Sequence, residues 1–136
     1  MPTPVSRIDR KGQVTPFVTQ GLSRPAGIAV DRHNGDVYIA NCRGNSVVKI
    51  DRKGVVSVFA TISDQGLGYL CFKNDRFYVT AFWSHAIYEV AMNGSARRVL
   101  GNGERGIVDG AGDEARLSFP AGIACHPWAP RLYVNE

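Results

Sequence analysis

The sequence predicts an all-β fold made of short antiparallel strands in repeated sets of four, and three observations carry that expectation. Apolar and polar residues alternate in short runs bounded by Gly, Pro, Asn and Asp, with no sustained helical period. The phrase Ile-Asp-Arg-Lys-Gly occurs at Ile8–Gly12 and again at Ile50–Gly54. Longer segments around it recur with a period of about 40 residues, the mark of a repeat architecture.

One repeated unit is VSRIDRKGQVTPFVT (Val5–Thr19) against VVKIDRKGVVSVFAT (Val47–Thr61), with a weaker third copy, IYEVAMNGSARRVLG (Ile87–Gly101). Each reads as a hairpin. Its turn ends in Gly12, Gly54 or Gly94, where the chain needs a positive φ. A second unit lies between these hairpins. It reads RPAGIAVDRHNGDVYIAN (Arg24–Asn41) and returns as FPAGIACHPWAPRLYVNE (Phe119–Glu136). A degraded middle copy, Gly66–Ala81, keeps Tyr78 in the slot of Tyr38 and Tyr133. By the same alignment, Asn41 and Asn135 are expected in equivalent places after a strand.

Composition sets outer limits. A chain of 136 residues, 44% hydrophobic and 21% charged, is long enough to bury a core and too apolar for a disordered tail. Its apolar runs fall far short of the ~20 residues needed to span a bilayer as a helix. The opening MPTPVSRIDR lacks the apolar core of a secretory leader. The net charge is +4, with basic and acidic residues interleaved, a mild basic excess that is compatible with an acidic partner but does not demand one. Cys42, Cys71 and Cys125 show no paired metal-ligand spacing. Their odd number predicts free thiols, with Cys71 and Cys125 as small fillers of an inner strand in the slot of Val30. Free thiols favour a reducing, cytoplasmic setting.

Four antiparallel strands per period of about 40 residues is the pattern of a β-propeller blade. On PAGIAVDRHNGDVYIAN, NSVVKIDRKG and the linker GNGERGIVDGAGDEARLSFPAGIA, the chain resembles the NHL-repeat propellers and the related gluconolactonase-like six-bladed propellers. With blade strands labelled A to D from the centre outward, the chain runs C–D, A–B–C–D, A–B–C–D, A–B. That gives a half-blade at 5–19, blades at 24–61 and 66–101, a flexible linker at 102–118 and a half-blade at 119–136. Three blade equivalents cannot close a ring, since closure needs about four. The expected partners are therefore the rest of a longer propeller or a second copy, head to tail, making a six-bladed ring.

The resemblance puts the ligand face on the D-to-A and B-to-C connections. Arg24, Asn41, Arg43, Phe82, Trp83, His85 and Asn135 fall there and are the candidate ligand contacts. Phe82, Trp83 and His85, in the loop AFWSHA, offer two rings for stacking and an imidazole. The repeated IDRKG falls on the opposite face and reads as a structural turn. Gluconolactonase-like relatives hold a divalent cation, such as calcium, on oxygen ligands at site-face positions. Here the Pro-Asn-Gly expected before strand A is Pro-Ala-Gly twice, at Pro25–Gly27 and Pro120–Gly122. Ala26 and Ala121 supply no ligand atom, leaving Asn41, Asn135 and Glu136 as weak metal candidates and no resident cofactor as the expectation. The run GNGERG matches a dinucleotide fingerprint but is not followed by the helix that fingerprint requires.

The reading that follows is a non-catalytic NHL-type platform for a protein or small-molecule ligand. A gluconolactonase-like, metal-dependent hydrolase is the alternative. RNA binding is weaker, because Asp64, Asp109, Asp113 and Glu114 offset the site-face arginines.

Overall fold

The computed structural model describes residues 5–64 and 66–136. Residues 1–4, part of the stretch read as lacking a leader, and Gln65, within one site-face connection, lie outside them. Twelve strands are present among the described residues: β1 (Val5–Ile8), β2 (Val14–Val18), β3 (Pro25–Val30), β4 (Val37–Asn41), β5 (Ser46–Ile50), β6 (Val56–Thr61), β7 (Leu67–Lys73), β8 (Arg76–Ala81), β9 (Ala86–Ala91), β10 (Ala96–Leu100), β11 (Ile123–Cys125) and β12 (Leu132–Val134). They form two four-stranded antiparallel sheets, β3-β4-β5-β6 and β7-β8-β9-β10, and two two-stranded sheets, β1-β2 and β11-β12. The chain is an all-β propeller segment, two whole blades flanked by two halves.

The IDRKG repeat builds the same turn twice. Asp9 Oδ1 accepts the amides of Lys11 and Gln13, and Asp51 Oδ1 those of Lys53 and Val55, at 2.8 and 2.9 Å in each case. Gly12 and Gly54 complete the turns at φ 79° and 83°, where a side chain would be strained. In the third copy Asn93 takes over, its Oδ1 accepting the Ser95 amide at 3.0 Å. The echo is thus a local solution to a hairpin, used in a whole blade and a half-blade alike.

The main core lies between the two whole blades. Tyr38 and Phe77 are almost fully buried with ring centroids 4.3 Å apart, and Phe59 and Phe72 pack edge-on or tilted around them. Ala40, Val47, Leu67, Val79, Ala81, Ala86 and Val90 belong to the same cluster. Burying each large ring from water stabilises by about 1.5–3 kcal/mol. A smaller cluster of Val18, Ile39, Val48 and Ile50 seats the N-terminal half-blade on its neighbour.

Innermost strands of successive blades approach closely. A Cβ on Gly27 in β3 would sit 2.4 Å from the Tyr69 Cα in β7, so only glycine permits this contact. Thr80 in β8 accepts the Tyr69 amide at 3.0 Å and donates to the Ala121 carbonyl at 2.8 Å, linking its blade to the C-terminal half-blade. The Tyr88 hydroxyl donates to Asp64 Oδ2 from the preceding inter-blade connection.

The cysteines correct the sequence expectation. Cys71 in β7 and Cys125 in β11 form a disulfide, with Cα atoms 6.0 Å apart and 54 residues between them in sequence. They occupy adjacent slots rather than one: Cys71 pairs with Tyr78 as Ala29 pairs with Tyr38, whereas Cys125 pairs with Leu132 as Val30 pairs with Val37. Laying two inner strands side by side joins cysteines that no sequence spacing connects. Cys42 alone is free, so the free-thiol argument for a reducing compartment loses its basis.

The stretch between β10 and β11 carries hydrogen bonds of its own. Arg116 exchanges backbone hydrogen bonds with Val108, and its Nη1 donates to the carbonyls of Asp113, Glu114 and Ala115 at 2.8–3.1 Å. Glu104 pairs with its Nε at 3.3 Å.

Candidate functional site

The site-face connections of the two whole blades enclose a cleft of about 510 Å³. Its walls come from three places: Arg24, Pro25 and Ala26 where the chain enters β3; Gly66 to Tyr69 where it enters β7; and Phe82 and Trp83 in the β8–β9 loop. Cys42 and Ala121 close its edges. Short-range geometry explains why these residues converge. Arg24, Gly66 and Phe119 precede the three inner strands and all take positive φ, 51°, 74° and 51°, so each chain enters its strand by the same bend. Gly66 has a second role. A Cβ there would lie 2.8 Å from the Trp83 ring, so the indole rests directly on the glycine. Trp83 and Tyr69 each remain half exposed.

Of the residues expected to meet a ligand, Arg24, Phe82 and Trp83 line this cleft. Arg43 is exposed, adjacent in sequence to Cys42. The rest are placed differently. His85 is 8% exposed, and its Nδ1 accepts the Phe119 amide at 3.1 Å. It also packs edge-on against the Phe119 ring at 4.6 Å. It therefore braces the next inner strand and presents no imidazole to the face. Phe82 meets the same ring at 5.0 Å, and the Arg105 guanidinium lies 5.0 Å from its centroid.

The two asparagines are not equivalent. Asn41 is buried and its Oδ1 accepts the Ser23 amide at 2.8 Å. Asn135 is exposed and accepts the Gly122 amide at 2.6 Å. Strand register makes Asn135 the counterpart of Thr80, which accepts the amide in the same inner-strand slot, and makes Glu136 the counterpart of Asn41. Matching asparagine to asparagine by letter displaced the alignment by one residue. These oxygens serve backbone amides, and among the described residues no group of three or more His, Cys, Asp or Glu is placed to hold an ion.

A second cavity, about 350 Å³, opens on the opposite face between Arg32, His33, Phe72, Lys73 and His126. Its lysine and two histidines are engaged with the protein itself. Lys73 Nζ donates to the His126 and Ala129 carbonyls, His126 Nδ1 accepts the Trp128 and Ala129 amides, and His33 Nε2 lies 3.3 Å from Asp75.

Sequence reasoning missed Tyr69 and Phe119. Tyr69 stands in the slot that Gly27 and Gly122 hold in the other repeats, and an exposed aromatic replacing glycine was a signal available in the alignment. Phe119, opposite Arg24 before a proline, was another.

Blades of four antiparallel strands set around close-packed inner strands define a β-propeller segment. The NHL repeat family matches residues 22–50, covering β3 to β5 of the first whole blade. Among solved structures, the chain is similar to an auxiliary nutrient binding protein from Bacteroides thetaiotaomicron, at 21% identity over 90% of this chain and 32% of that one, TM-score 0.76. It is similar to virginiamycin B lyase from Staphylococcus aureus at 20% identity, over 88% of this chain and 38% of the lyase, TM-score 0.65. A nidogen/laminin complex gives 16% identity over 95% of this chain and 47% of the matched chain, TM-score 0.75. At these identities the likeness is one of fold. The chain spans a third to a half of the length of these structures. No curated protein matches the sequence. No helix among the described residues is long and apolar enough to cross a membrane.

Proposed function

We propose that this propeller segment is a non-catalytic binding platform that takes a small-molecule ligand in the site-face cleft between its whole blades. The observation that carries the reading is the Trp83 indole, rested on Gly66 and half open beside Tyr69 and Arg24. Aromatic walls with a few placed polar groups are what small-molecule sites generally offer. Likeness to a nutrient binding protein is in keeping with it. His85 is held internally, and the asparagines serve the backbone.

Strands from outside the chain's own fold complete the platform. β12 exposes the edge at which strand C of a blade would pair, and β1 exposes the edge at which strand B would pair. The rest of a longer ring or a second copy in head-to-tail contact supplies them.

A fragment library screened by ligand-observed NMR tests the cleft. Hits are expected to lose contact in Trp83→Ala and to keep it in Trp128→Ala, which removes a still more exposed indole from the opposite face. Loss in both variants, or no hits, overturns the reading. Light scattering during gel filtration tests the edges: self-association at high concentration is expected, and a monomer at every concentration counts against them.

A further inference from the structure

We propose that the ligand of the site-face cleft is an aromatic carboxylate, its ring on Trp83 and its anionic group on Arg24. This rests on the cleft reading and adds the chemical class. The cleft is asymmetric in charge. Among the described residues, Arg24 is the one charged side chain in its lining. Among the described residues Arg24 makes no ion pair or side-chain hydrogen bond, unlike Arg116 or Arg76, whose guanidinium groups are engaged. Its backbone is fixed at φ 51° immediately before Pro25, which ties the start of the side chain to the rim. An anchored, uncompensated guanidinium beside exposed rings suits a planar anion, which it can grip with two parallel hydrogen bonds.

The rest of the lining narrows the class further. Leu67, Pro25, Ala26, Phe82, Tyr69 and Trp83 are mainly apolar or aromatic, and among the described residues no Asn, Asp or Glu stands in the lining. A neutral sugar needs such side chains for its ring of hydroxyls, since each hydroxyl that is desolvated and left unpaired costs about 1–3 kcal/mol. A flat apolar ring needs none. Indole faces and a ring edge attract one another, and a volume of about 510 Å³ accommodates a ring with a short acidic arm.

The cleft carries its own reporter. Cys42 is half-buried on its edge and is free, so an occupant slows its alkylation. The probes are phenylacetate, benzyl alcohol and acetate, read by Cys42 alkylation rate and by the Trp83 indole N–H shift. Phenylacetate is expected to bind roughly tenfold more tightly than benzyl alcohol, the scale of a charge-assisted pair. Acetate should move neither signal. Arg24→Gln should abolish the preference while leaving the weaker benzyl alcohol binding, and Arg24→Lys should restore part of it. Equal binding of phenylacetate and benzyl alcohol overturns the carboxylate and leaves the aromatic cleft standing. Equal effects of acetate and phenylacetate overturn the ring. No response to any probe, in a chain whose thermal unfolding is normal, overturns both the ligand class and the cleft.

Discussion

The two whole blades and the two half-blades are written in the same repeat yet packed differently. β8 and β9 bury nearly every residue on both faces, from Phe77 to Ala81 and from Ala86 to Val90. β1 and β12, drawn from equivalent parts of the repeat, bury almost none. Turn chemistry does not distinguish them, because the Asp9 and Asp51 turns have the same bonds at the same distances. The lesson is that a blade hairpin is specified locally but stabilised by neighbours: strands on both sides within the sheet and a sheet on each face. Each half-blade lacks the strand that would cover one edge.

Truncation of a core ring should show the largest contrast. Phe77→Ala removes the ring at the centre of the inter-blade cluster and is expected to cost about 3–5 kcal/mol in urea unfolding. Phe17→Ala, in the half-exposed N-terminal half-blade, should cost less than half of that. Equal costs would erase the distinction between whole and half-blades.

Next is the Cys71–Cys125 link, which ties the weakly packed C-terminal half-blade to a whole one. Reduction, or the Cys71→Ser and Cys125→Ser double variant, should destabilise by about 4 kcal/mol for a loop of this length. Exchange of β11 and β12 amides should accelerate while β8 is little changed. If β8 accelerates equally, the half-blade is integral to the core.

A pH titration gives a smaller effect. Burial and the hydrogen bond to Asp64 push the Tyr88 hydroxyl up to about 12 from its ordinary 10.0. The folded state holds that proton more tightly than the unfolded chain. Its contribution is therefore fully present below pH 10 and is lost as pH rises from 10 towards 12. Tyr88→Phe should flatten that part of the stability curve, and an unchanged slope would contradict the inter-blade role of the bond.

The smallest effect belongs to the turns. Asp9→Ala and Asp51→Ala each remove an oxygen that accepts two amides in exposed turns, and each should cost about 0.5–1.5 kcal/mol. Matching losses would support a local energy. A much larger loss at Asp51 would show that the whole blade amplifies it.

Much of the architecture was legible in the sequence because it is local. Alternation, Asp and Gly at fixed offsets and a period of about 40 residues each act within one hairpin. The cleft was partly legible: Arg24, Phe82 and Trp83 follow from assigning loops to a face. What was hidden depends on contacts between repeats. The disulfide follows from a one-slot stagger of β7 and β11, which no single repeat encodes. His85 looked available in the aromatic loop AFWSHA, yet its burial is set by Phe119, 34 residues away. Asn135 was misaligned because identity of letters outweighed the register fixed by Tyr133.

Hydrogen exchange of the intact chain, measured where light scattering shows monomer only, tests the central claim most directly. Amides of β4, β5, β8 and β9 should exchange far more slowly than those of β1 and β12, and the gap should narrow when strands completing the outer blade are added as a peptide. Protection of β1 and β12 equal to that of β8 in the monomer would mean that the terminal sheets need no completion, and the account of an open propeller segment would fail.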